Sequence, residues 1–132
     1  MEANELMIGD LINGFGVVRR VTGIYGLERP EDDGLLTTMV PGCEFPESNL
    51  SFRPCYAQPI PLTAEILEKN GWKKEDVFGS LIKYRFSGPL DIETGGETFR
   101  LSNNYFFCGG IHYVHELQHA LRMCGVEKDI TI

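Results

Sequence analysis

One segment restricts the fold more than any other: Ile111 to Cys124, closed by Gly125. At about 100° per residue, Val114, Leu117, Leu121 and Cys124 fall on one face of a helix, with Tyr113 and Ala120 at its edge. His115, Gln118, His119 and Arg122 take the opposite face, and Gly125 suits the C′ position that ends a helix. A single apolar stripe describes a surface helix docked on something that the rest of the chain must supply. The segment also holds every histidine of the chain.

The rest reads mostly as strands. Leu6-Met7-Ile8 with Leu11-Ile12, then Phe15 to Ile24, then Leu35 to Val40 are short apolar runs separated by polar turns, the first turn placed at Asn13-Gly14. Together they predict a small curled sheet of SH3-like type. Five of the seven prolines lie between residues 41 and 61, which excludes a helix or a central strand and leaves a connection with a short edge strand near Phe52 to Ala57. Thr63 is an N-cap for a helix over 63–70, with Leu62 and Leu67 as a hydrophobic staple and Gly71 as the stop. Trp72 follows as a core anchor, and Lys73 to Asp76 reads as a polar turn.

Leu81 to Phe86 alternates with a period of two. Leu90 to Glu93 and Glu97 to Leu101 flank the hairpin signal Thr94-Gly95-Gly96, and Tyr105 to Cys108 is a further strand. Gly109-Gly110 passes the chain to the last helix, after which Glu127 to Ile132 alternates weakly, as an edge strand would. The expected architecture is therefore α+β and β-rich, a single domain over residues 1–132. Residues 1–61 give the SH3-like strands and proline-rich loop; residues 62–132 give the short helix, a β-meander and the amphipathic helix that covers it.

Net charge is −7, from 19 acids and 12 bases, which disfavours broad contact with nucleic acid or an anionic membrane. No apolar run approaches the roughly 18 residues of a membrane span. The polar, acidic start Met1-Glu2-Ala3-Asn4-Glu5 is the wrong chemistry for a secretory signal, so the chain is expected in the cytoplasm. Cys43, Cys55, Cys108 and Cys124 form no Cys-x-x-Cys pair and are expected as free, buried thiols. The acids Glu28, Glu31, Asp32 and Asp33, and again Asp91, Glu93 and Glu97, read as solvated turns.

Gln58-Pro59-Ile60-Pro61-Leu62-Thr63 and Tyr113-Val114-His115-Glu116-Leu117-Gln118 together resemble a group of small uncharacterised proteins. That group is encoded by gut anaerobic bacteria and by their phages and prophages. The start Glu5 to Asp10 with Val17 to Val21 fits the same group. The resemblance implies a phage or mobile-element setting and carries no chemistry. It departs at His119, where many members have asparagine.

Three chemical readings remain open. His112, His115 and His119 are spaced i, i+3, i+7 within an arc of about 60°, a pattern that suits zinc and a metal-assisted hydrolase. If the meander strands pair in order, Lys83, Arg85 and Arg100 share one face as a ligand-binding site for a small anion, with the N–H groups of the helix that follows Gly109-Gly110 as a second anion-holding feature. His115, Gln118, His119 and Arg122 form a polar strip suited to an interface with a host protein or a second copy of the chain. No catalytic constellation and no cofactor motif stands out. The expectation is thus a non-enzymatic accessory binding protein of phage or prophage origin, of counter-defence type, sequestering a nucleotide-type signal or docking on a host protein. The alternatives are the histidine-based hydrolase and a structural or DNA-associated accessory protein.

Overall fold

In the computed structural model, residues 1–26, 34–43, 48–76, 82–86, 90–95, 98–103 and 106–132 are described. The chain divides into two units, Met1–Ile60 and Pro61–Ile132. In the first, β1 (Leu11–Gly14), β2 (Val17–Tyr25), β3 (Leu35–Met39), β4 (Leu50–Phe52) and β5 (Ala57–Gln58) form one antiparallel sheet. Its order is β4-β3-β2-β1-β5, so the last strand returns to the first and the sheet curls in the SH3-like manner. A register shift between Val21 and Gly23 marks a bulge in β2, a device that bends a strand. A 3₁₀ turn at Pro54–Tyr56 turns the chain from β4 to β5. Leu6, Ile12, Val21, Leu36, Phe52 and Ala57 form the core, with Met1 and Ile24 packed on it.

Two local expectations change here. Leu6 to Ile8 is not a strand. The segment is a turn, in which the buried Asp10 carboxylate accepts the Met7 N–H at 2.7 Å. The Gly9 N–H donates to the Val21 carbonyl at 2.7 Å and the Val21 N–H to that of Asp10 at 2.9 Å, which straps the turn to β2. The first hairpin turn also moves. Gly14 pairs with Val17, leaving Phe15-Gly16 as the two-residue loop, with φ of 53° and 78°. Asn13-Gly14 belongs to the strand because Gly14 meets a different demand: a Cβ there would lie 2.7 Å from Phe52 Cζ.

The second unit contains α1 (Ala64–Lys69), β6 (Lys73–Asp76), β7 (Ile82–Arg85), β8 (Leu90–Thr94), β9 (Phe99–Asn103), β10 (Phe106–Ile111) and α2 (Val114–Met123). Its strands make an antiparallel meander ordered β10-β9-β8-β7-β6. Tyr84, Leu90, Ile92, Phe99 and Leu101 are buried on one face, and α2 packs against β10 with Val114, Leu117 and Leu121 buried. Burial, and then the carboxylates of Glu68 and Glu65, push the Tyr84 hydroxyl above the ordinary phenol range, so its neutral form is favoured. The Thr63 hydroxyl caps α1 by accepting the Ile66 N–H at 3.3 Å, as its position predicts.

Lys73 to Asp76, read as a turn, is the edge strand β6; cross-strand pairing overrides its polar composition. Gly109-Gly110 lies inside β10, beside a register shift between Phe107 and Gly109, instead of leading directly into the helix. Glu127 to Ile132 joins no strand among the described residues. Asn70 holds that tail: its Nδ2 donates to the carbonyls of Ile66 and Thr131, both at 2.7 Å, and its Oδ1 accepts the Thr131 N–H at 2.7 Å. The fold class is α+β and β-rich, with a curled SH3-like sheet, a second sheet and one C-terminal amphipathic helix. Among the described residues no helix is long and apolar enough to cross a membrane.

Candidate functional site

The polar strip of α2 does not survive as a surface. His115 is 6% exposed and Gln118 7%, whereas Arg122 is exposed and His119 half-buried. The buried arc runs from Leu117 through Leu121, Val114 and Gln118 to His115, about 160° at helical spacing and wider than the apolar stripe. Aromatic neighbours explain part of this. The Tyr113 ring stacks on His115 with centroids 5.9 Å apart and planes at 10°, and His119 meets it edge-on at 5.6 Å. Hydropathy scales rank imidazole and amide as polar, so periodicity alone assigned both to solvent.

The histidines do not converge as a ligand set. His112 precedes the helix, with Nδ1 at 3.9 Å from Glu116 Oε2. Among the described residues no three His, Cys, Asp or Glu side chains lie close enough to share a metal ion. The anion site anticipated at the helix start meets the chain's own carboxylate, since the His112 N–H donates to Glu116 Oε2 at 3.4 Å.

Lys83, Arg85 and Arg100 do come to one face of the meander, but carboxylates stand between them. Glu75, Lys83, Glu93 and Arg100 follow one another in register across β6, β7, β8 and β9. In the neighbouring row Arg85 lies opposite Asp91, its Nε donating to Oδ1 at 3.2 Å, and Lys83 Nζ is 3.4 Å from Asp91 Oδ2. Arg85 also lies 3.7 Å from Glu75. Alternating signs at cross-strand positions stabilise the sheet itself. Asp91 and Glu93 are therefore strand residues in an ion-pair ladder; the other acids assigned to turns (Glu28, Glu31, Asp32, Asp33 and Glu97) lie outside the described residues.

Sequence reasoning missed the feature that most resembles a contact surface. Phe15 is 61% exposed at the hairpin tip, and its ring packs edge-on against Phe52 at 5.3 Å and stacks with Tyr56 at 5.6 Å. Tyr56 is itself 57% exposed. A bulky side chain at positive φ costs roughly 1–2 kcal/mol, and turns of this shape ordinarily use asparagine, aspartate or glycine. Aromatic pairing returns about 0.5–1.5 kcal/mol per pair. The available signal was the sequence Gly14-Phe15-Gly16, an aromatic set alone between glycines. Other exposed apolar side chains gather in the same unit: Met7, Ile8, Val17, Tyr25, Leu35 and Leu50, against Tyr113, Met123 and Ile132 in the second.

The cysteines divide. Cys55 is exposed in the 3₁₀ turn, and Cys43 and Cys124 are only half-buried, so the expectation of buried thiols fails for these three. The Cys108 side chain lies outside the described residues. The sequence matches no protein-family model, and no curated protein or solved structure is significantly similar to it.

Proposed function

We propose that the chain is a non-enzymatic binding protein that docks on a host protein through the aromatic cluster of its SH3-like sheet. The observation that carries this reading is Phe15, held at positive φ and largely exposed beside an exposed Tyr56. Strained, exposed aromatic residues are costly for a fold and valuable at an interface, where Tyr, Trp and Phe anchor contact. The setting is a phage or prophage accessory role of counter-defence type in a host cytoplasm, following the resemblance of the Ile60-to-Thr63 and Tyr113-to-Gln118 motifs. Sequestration of a nucleotide signal is less favoured, because the cations that would meet its phosphates already face Glu75, Asp91 and Glu93. The docking surface is thus moved from the helix strip to the β1–β2 hairpin.

The test is the double variant Phe15→Asn, Tyr56→Ser. Asparagine tolerates positive φ, so stability should change by no more than about 1 kcal/mol. Affinity for the host protein that forms a stoichiometric complex with the wild type should fall about 30-fold or more, as for hot-spot residues. Full affinity in a folded double variant would remove the cluster from the contact surface.

A further inference from the structure

A cleft of about 250 Å³ lies within the second unit, between α2 and β10. Its apolar lining comes from Leu101, Ile111, Ala120 and Met123, and its polar groups come from Glu116, His119 and the backbone of Gly109-Gly110. Glycine keeps the strand side bare: beyond its chain neighbours, no atom of the described residues lies within 4 Å of the place a Cβ on Gly109 would take. β10 is the edge strand of the meander, so one side of its backbone faces away from β9. Across the cleft, Met123 is 89% exposed, and its unbranched side chain can adjust to an occupant.

We propose that this cleft binds a small organic amine with an apolar body, a property independent of the docking reading. The volume falls just below the roughly 300–1,000 Å³ of drug-sized pockets, which suits a single-ring molecule. Sign of charge selects the class. Glu116 is the one formally charged side chain among the described lining residues, and its side chain is 32% exposed, where a carboxylate attracts a cation more strongly than in bulk water. An anion would meet that carboxylate with no lysine or arginine among the same lining residues to offset it. An ammonium group has three donors, matching a carboxylate oxygen, an imidazole nitrogen and a main-chain carbonyl. The ring of such a ligand would lie against Ala120 and Met123, with the core residues Leu101 and Ile111 beneath.

The experiment is a titration of the full chain with 2-phenylethylamine, followed by backbone amide NMR, with 2-phenylethanol as the neutral isostere. The amine should give saturable shifts concentrated in residues 109–123, and the alcohol should bind several-fold more weakly. Glu116→Gln keeps an acceptor for the His112 N–H and removes the charge, so it should weaken the amine by about three- to fivefold and leave the alcohol unchanged. Ala120→Leu fills the cleft and should abolish binding of both. No saturable binding, equal binding of amine and alcohol, or wild-type binding by Ala120→Leu would each overturn the proposal.

Discussion

Replacing Trp72 with alanine is expected to lower unfolding free energy by about 3–5 kcal/mol. The indole is buried directly after the end of α1, and the Trp72 main-chain N–H donates to the Leu67 carbonyl at 3.0 Å. Its ring lies against Phe86 at 5.1 Å, and Lys128 places Nζ 4.3 Å from the Phe86 ring centroid. One truncation therefore withdraws support from the helix end, the end of β7 and the C-terminal tail at once. Urea denaturation of the variant reads the effect directly. A loss under about 1 kcal/mol would mean that Trp72 packs against little.

Leu121→Ala is expected to cost about 2–5 kcal/mol, since Leu121 is 1% exposed beneath α2 and a cavity adds to the lost transfer energy. Its neighbour supplies the control. Arg122 is exposed, so Arg122→Ala should shift stability by less than about 0.5 kcal/mol. Thermal melts of the pair fix the inward side of the helix. Equal effects at the two positions would mean that α2 is rotated from the orientation described here.

Strong periodicity made parts of this fold legible. The apolar stripe Val114-Leu117-Leu121, the Thr63 cap and the alternation around Tyr84 each have one physical reading, and the structure follows it. The errors share a different cause, long-range context. Asn13-Gly14 carries the strongest two-residue turn signal, yet the approach of Phe52 requires Gly14 in the strand, and the turn falls two residues later on Phe15-Gly16. Lys73 to Asp76 looks like a solvated turn because nothing local reveals that β7 will pair with it. His115 and Gln118 look like a surface for the same reason. The burial of His115 depends partly on the ring of Tyr113, which stands at the N-cap position of α2.

The candidate sites were less legible than the fold. Lys83, Arg85 and Arg100 were correctly brought to one face, but the acids that interleave them follow only from register. The aromatic cluster joins Phe15 to residues of β4 and the 3₁₀ turn, well separated along the chain, and its rings meet only because the sheet curls. An exposed phenylalanine in sequence is unremarkable. One at positive φ is not.

The most direct measurement is hydroxyl-radical footprinting of the chain alone and in complex with the host protein proposed as its partner. Docking through the SH3-like sheet predicts strong protection at Phe15 and Tyr56, with Met123 oxidised as readily in the complex as in the free chain. Protection centred on Met123, His119 and Arg122, with Phe15 and Tyr56 unchanged, would contradict it.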